Sequence, residues 1–305
     1  MLIPLPTLIQ PLSHPILVTK SIELAVMRLD LIHPGVSGNK FFKLRHNLSQ
    51  AKFEKKTTLL TFGGAYSNHI YATAEAANAT GFRSIGILRG EPTSPLNPTL
   101  VHAQSLGMEL IFIDRASYRT KTSPSFLADL KDKLGDFYLI PEGGTNELAI
   151  KGTSEILGQS TDSYTHIGAS IGTGGTFAGL ASSLLPSQHL IGFSSLKGDF
   201  IHSEINLLLS KNNINPKGIL GINTSYHFGG YGKYTSELVS FIWDFYQNFG
   251  IMTDPIYTGK LAFGIWDMIQ KDEFPPSSKV LLIHSGGLQG NAGFTERTGI
   301  KLPPL

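Results

Sequence analysis

Lys40 stands in GVSGNKFFKLRHNL, after a glycine-rich turn and between Asn39 and two phenylalanines. A lysine is ordinarily solvated, but apolar neighbours can lower its pKa toward that of a nucleophilic amine. Lys43, three residues on, competes for that role. A second segment, IGTGGTFAGLASSLL, sets Gly172, Thr173, Gly174, Gly175 and Thr176 between a strand-like run and a helix-like one. Exposed N–H groups, two hydroxyls and a helix N-terminus can then face one phosphate. The segment is neither a Rossmann fingerprint, since Phe177 replaces the last glycine, nor a P-loop, since no Lys-Ser/Thr follows. The plain alternative is a tight strand-to-helix turn that binds nothing. In GGAYSNHIYATAEAA, Ser67 and Asn68 precede a helical stretch, where capping alone would explain them. The preceding glycines allow a close ligand approach, and the helix start favours a carboxylate.

One competing pattern overlaps the glycine loop. Gly168, Ala169, Ser170, Ile171 and Gly172 match GxSxG, with Asp254 and His284 following in the chain order of an α/β-hydrolase triad. A nucleophile elbow needs its helix just after the serine, where this chain has GTGG, so Ser170 is expected to end a strand. The HGGG-type oxyanion motif is also missing.

Composition excludes several other chemistries. Cysteine is absent, which removes disulfides, thiolate nucleophiles, iron–sulfur clusters and cysteine-type zinc sites. The ten histidines are dispersed with no HExxH-like pair, so no metal is expected. The formal net charge is +2 with basic residues scattered, which argues against nucleic acid or an acidic membrane as partner. The apolar start MLIPLPTLIQPLSHPIL lacks a basic n-region and is broken by four prolines, so it does not read as a signal peptide. No apolar run approaches the ~20 residues of a membrane span. A cytoplasmic protein is the expectation.

The elements that must position these residues follow from periodicity. At 305 residues, 41% hydrophobic and 16% charged, the chain is long enough for about two globular domains. From residue 57, apolar β-branched runs alternate with helical stretches: TTLLTF, Ile70 to Ala79, SIGIL, Pro98 to Ser105, MELIFI, Phe126 to Leu134 and FYLI. A second series runs YTHIGASI, FAGLASSLL, HLIGF, IHSEINLLLS and GILGI, then two helices and KVLLIH. This predicts an α/β protein with two open, mostly parallel sheets. The glycine clusters after TTLLTF, FYLI, YTHIGASI and KVLLIH would then lie at the carboxyl edges, where such folds bind ligands.

Taken in order, SGNKFFKL, GGAYSNH, PEGGTN, GTGGT, DPIYTGK and HSGGLQG resemble the 1-aminocyclopropane-1-carboxylate deaminase and D-cysteine desulfhydrase family of pyridoxal-phosphate enzymes. The resemblance runs from about Gly38 to the end. It implies the tryptophan-synthase-β type of fold (fold type II), with a smaller α/β domain at 43–148 inserted into a larger cofactor-binding one made of 1–42 and 149–305. It implies that Lys40 forms the Schiff base, that Gly172 to Thr176 hold the cofactor phosphate, and that Asn68 bonds the ring oxygen. Ser67 would receive the substrate carboxylate, and Tyr231 and Tyr257 would line the reacting side. A homodimer is usual in the family.

Departures from the family pattern bear on substrate. Phe42 stands where the family generally has Arg, and Tyr71 where an Arg usually follows SNH by one residue. The deaminases resemble DPxYEGK followed by HLGG, whereas this chain has Thr258 and Ser285, the desulfhydrase-like pattern. A neutral hydroxyl at the pyridine nitrogen makes a weaker electron sink than a carboxylate. Opening a cyclopropane should need the stronger sink, and eliminating thiolate should not. The expected function is therefore α,β-elimination or deamination of a small amino acid, D-cysteine or a β-substituted D-alanine, to pyruvate and ammonia, with Lys40 taking the α-proton. The alternative within the family is 1-aminocyclopropane-1-carboxylate deamination. From other classes stand the Ser170 hydrolase and a catalytically silent binding protein.

Overall fold

The computed structural model describes residues 2–92 and 94–304. Two sheets form. The larger runs β1 (Ile9–Leu12), β2 (Glu23–Arg28), β10 (Lys279–His284), β7 (His166–Ile171), β8 (His189–Ser194) and β9 (Ile219–Asn223) from edge to edge. The smaller runs β5 (Met108–Ile113), β4 (Arg83–Arg89), β3 (Thr58–Gly63) and β6 (Tyr138–Ile140). Every pairing is parallel except β1 with β2. Helices cover both faces of these sheets, which is why the strands read as continuous apolar runs: all six residues of β3 are buried. Within β10, Val280 and Leu282 join the cluster packed on the helix Thr258–Gln270, while Leu281 and Ile283 join the opposite one. The side-chain period of two delivers alternate residues to the two faces.

Both sheets reverse strand order, the smaller at β3 and the larger at β7. β3 leads outward to β4 and β5 before the chain returns to place β6 on its other side, and β7 leads to β8 and β9 before β10 returns. At such reversals the loops diverge and leave a crevice. The loops after β3, β6, β7 and β10 are the four glycine clusters noted in the sequence.

The antiparallel pair β1 and β2 lies outside the alternation expected from residue 57, as does the helix Asn39–Phe53. That helix buries Phe41, Leu44 and Leu48 in the cluster that also takes Leu59 of the smaller sheet and Ile167 and Leu281 of the larger. The expected boundary at 42/43 falls inside it. Among the described residues no helix is long and apolar enough to cross a membrane, and no group of three metal-ligating side chains gathers.

Candidate active site

The crevice holds a cavity lined by Lys40, Ser67, Asn68, Gly172, Thr173, Gly174, Thr176, Tyr231, Tyr257 and Ser285. Ten of the twelve residues expected around cofactor and substrate thus meet in one place, with Lys43 and Ser170 also in its wall. Two others do not reach it. Gly175 backs onto its neighbours, since a Cβ there would stand 2.8 Å from Thr145 Oγ1. Thr258 is fully buried with its hydroxyl turned to Asp254, donating to Oδ1 at 2.6 Å and accepting the Asp254 N–H at 2.9 Å. Its single proton is therefore already committed. Ser285 is the hydroxyl of that expected pair that faces the cavity.

The glycine before Lys40 is required by its backbone. Gly38 has φ 66° and ψ −151°, and a Cβ there would lie 1.9 Å from Ser285 O. Asn39 N–H donates to that same carbonyl at 3.1 Å, so the turn entering the Lys40 helix is bound to the loop after β10. Asn39 Nδ2 donates to Thr176 Oγ1 at 2.8 Å, which ties the turn to the glycine loop as well. Lys40 Nζ has one contact, Asn39 Oδ1 at 3.3 Å. Burial lowers its pKa from 10.5 to about 8.

Lys43 is held differently. Its Nζ donates to Gly143 O at 2.9 Å and to Thr145 Oγ1 at 3.1 Å, with Thr173 Oγ1 at 3.5 Å. Burial, reinforced by the charge of Lys40, pushes its pKa well down. Among the described residues neither amine has a carboxylate within 4 Å. Two buried amines facing polar loops without an anion form a site short of negative charge. A phosphate fits that deficit, and the helix Gly175–Ser182 opens there with N–H groups that have no carbonyl partner in their own turn. The sequence reading treated Lys43 only as a competitor of Lys40; the spacing of three on a helix could have placed it beside the same cavity.

On the opposite wall Ser67 caps the helix Asn68–Thr80, its Oγ accepting from His69 N at 3.2 Å and Ile70 N at 3.3 Å. The capping role is real, and it leaves the hydroxyl proton at the cavity. Asn68 Oδ1 accepts from Gln289 Nε2 at 2.6 Å, so its Nδ2 remains a donor. His69 lies behind. Thr61 Oγ1 donates to Ile140 O at 2.8 Å, so it accepts from His69 Nε2, also at 2.8 Å. That assigns the ring proton to Nε2 and leaves Nδ1 without a partner. Burial first, then Lys40 and Lys43, hold this imidazole neutral. The Tyr231 and Tyr257 rings meet edge-on with centroids 6.0 Å apart. Burial, followed by the nearness of Tyr231, raises the Tyr257 pKa well above 10.0, so its hydroxyl stays protonated.

The hydrolase triad does not assemble. Ser170 lies within β7 and donates to Tyr257 O at 3.1 Å. The Asp254 carboxylate is occupied by the N–H groups of Ile256, Tyr257 and Thr258, and His284 Nε2 bonds Met252 O at 2.7 Å.

The family described as pyridoxal-phosphate dependent enzyme matches residues 18–286. A protein of Pyrococcus abyssi, provisionally named 1-aminocyclopropane-1-carboxylate deaminase, is 31% identical over 88% of this chain and 86% of its own length. The mitochondrial bifunctional D-cysteine desulfhydrase/1-aminocyclopropane-1-carboxylate deaminase of Arabidopsis thaliana is 30% identical over 88% of this chain and 73% of its own. The crystal structure of a homologue of 1-aminocyclopropane-1-carboxylate deaminase superposes with a TM-score of 0.84 at 28% identity, covering 97% of this chain and 94% of the other.

Proposed function

The chain belongs to the pyridoxal-phosphate dependent enzymes of fold type II, and from that premise we propose that it releases ammonia from a small amino acid by α,β-elimination, with Lys40 as the residue that carries the cofactor and moves the α-proton. The coarser statement stands without the proposal: it binds pyridoxal 5'-phosphate and acts on a small amino acid by elimination or deamination.

When bound, pyridoxal phosphate supplies an electron sink that acidifies the α-carbon. The residues around it have separate tasks. Lys43, Thr173 and the first N–H groups of the helix Gly175–Ser182 hold the phosphate. Asn68 Nδ2 is placed to bond the ring oxygen. The Ser67 hydroxyl and the helix start behind it receive the substrate carboxylate. Lys40, with its amine depressed to about 8, is able to accept the α-proton near neutral pH and return it. Tyr231 and Tyr257 close the reacting side, and burial keeps the Tyr257 phenol protonated.

The observation that carries elimination is the chemistry of the cavity wall: it has no carboxylate among its described residues, and Ser285 offers a neutral hydroxyl. D-cysteine or a β-substituted D-alanine suits that weaker sink. The second reading, deamination of 1-aminocyclopropane-1-carboxylate, has the stronger support from relatives, because the names of the three reported above all carry it. The test is the ratio of kcat/KM for the two substrates with the cofactor loaded, read as pyruvate from D-cysteine and 2-oxobutyrate from the cyclopropane. A ratio favouring the cyclopropane would replace elimination by the second reading.

A further inference from the structure

The cavity does not end at Tyr231 and Tyr257. Ser67, Gly143, Gly172, Thr173 and both tyrosines also line a wider cleft that continues outward to the surface. Three arginines stand in its walls, brought there by three different elements. Arg89 ends β4, so it occupies the same carboxyl edge as the Ser67 loop, and its Nη2 is 3.7 Å from where a Cβ on Gly64 would lie. Arg115 opens the short helix that follows β5, one strand further along that edge. Arg297 faces them from the helix Gly290–Thr298, with its guanidinium 5.7 Å from the centre of the Tyr66 ring.

Among the described residues none of the three has a carboxylate within 4 Å. Among its described residues the cleft has one carboxylate, Glu142, and Lys121 holds it at 3.1 Å. A concave surface with three guanidinium groups and its only acid already paired concentrates positive potential where a substrate side chain would emerge. Guanidinium also presents a planar fork that matches phosphate, sulfate and carboxylate. Nothing in the proposed chemistry at Lys40 uses these groups, since the substrate's own carboxylate is received inside, at Ser67.

We infer that the outer cleft binds a second anionic group, carried on the β-substituent of the substrate, and that Arg89 and Arg115 are its principal ligands. The inference rests on the lyase reading for its reaction but not for its binding. In a favoured substrate such as serine O-sulfate, the α-proton passes to Lys40, and the Cβ–O bond breaks with its electron pair leaving on sulfate. Water then hydrolyses the released enamine to pyruvate and ammonium.

Two measurements on the holoenzyme separate binding from reaction. The first is the affinity for 2-amino-3-phosphonopropionate, whose C–P bond does not leave, against 2-aminobutyrate, which lacks the second anion; both enantiomers of each are titrated calorimetrically. We expect the phosphonate to bind at least tenfold tighter to the wild type, with the preference falling below threefold in Arg89→Ala/Arg115→Ala and in wild type at high salt. The second is kcat/KM for serine O-sulfate against 3-chloroalanine, where the double variant should lose tenfold or more on the sulfate and less than threefold on the chloride. Equal binding of the two analogues to the wild type, or a preference that survives the double variant, overturns the inference. A retained phosphonate preference with no pyruvate from either substrate would count against the lyase reading alone.

Discussion

The Thr258 hydroxyl is locked to Asp254 by two hydrogen bonds, hydroxyl to carboxylate at 2.6 Å and amide to hydroxyl at 2.9 Å. Asp254 meanwhile takes the N–H groups that open the helix Thr258–Gln270. A hydroxyl used in this way shapes a helix start and has no proton left to donate to a ring nitrogen. The two positions paired in the sequence, Thr258 and Ser285, therefore have different jobs.

That difference is measurable. Thr258→Val removes both bonds and should lower stability by about 2 kcal/mol, while leaving the ratio of the two kcat/KM values within twofold. Ser285→Ala should do the reverse, with little change in the thermal midpoint and a shift of at least fivefold in the ratio. Thr258→Glu would set a second carboxylate against Asp254 in a buried space and is expected to unfold the helix start rather than change substrate preference. A ratio that moves with Thr258→Val and not with Ser285→Ala would place the nitrogen contact at Thr258 after all.

Lys40 and Lys43 are expected to fail differently when replaced. Lys40→Ala should abolish turnover and the visible absorption band that borohydride removes, while pyridoxal phosphate still binds noncovalently. Lys43→Met should keep the band and the pyridoxyl label on Lys40, but weaken cofactor affinity at least tenfold, since it removes the buried amine proposed to hold the phosphate. Peptide mapping after reduction decides between them, and a label on Lys43 reverses the assignment.

The depressed Lys40 pKa fixes a sign for pH effects. Capture of pyridoxal phosphate needs the neutral amine, so its rate in the cofactor-free chain should rise with pH and level off above about 8. A solvated lysine would level off only near 10.5. Stability follows the same shift. Between pH 8 and 10.5 the unfolded chain binds the proton that the folded chain has released, so the folded state gains stability as pH rises and loses it as pH falls toward 8. The amine's burial costs on the order of 3 kcal/mol at neutral pH. Lys40→Met should therefore raise the urea midpoint of the cofactor-free chain at pH 7 and flatten part of its rise toward pH 10. An unchanged slope would show that Lys40 is charged in the folded state.

Much of this site was legible because parallel α/β order puts strand-following glycines on one edge. TTLLTF, YTHIGASI and KVLLIH signalled their strands, and the loops after them converge as the alternation predicts. What was hidden depended on which side chain points where. The word DPIYTGK cannot tell that Thr258 turns inward while Tyr257 faces the cavity, because that choice is made by Asp254 four residues earlier. The antiparallel β1 and β2 were missed because a proline-broken apolar stretch has no clear period, and the pairing of β2 with β10 spans more than 250 residues of sequence. Lys43 looked like a rival because its partners, Gly143 and Thr145, lie about 100 residues away.

Gly38 gives the most demanding test of how the site is assembled. Its φ of 66° with ψ near −151° is open to glycine alone, and the atom that would meet a new Cβ, at 1.9 Å, is the backbone oxygen of Ser285, which cannot rotate away. Gly38→Ala must push the Lys40 turn off the loop after β10, lengthening the Asn39 to Ser285 bond and displacing both ends of the cavity together. Gly81 is the matched control: its φ is 77°, but nothing lies within 4 Å of a Cβ there. Gly81→Ala should cost only the left-handed backbone strain, about 1 kcal/mol, and keep full activity. Gly38→Ala is expected to cost several times more and to lose at least a hundredfold in kcat/KM, with slowed cofactor capture in whatever fraction stays folded. If the two variants behave alike in thermal midpoint and in capture rate, the contact between Gly38 and Ser285 does not hold the site together.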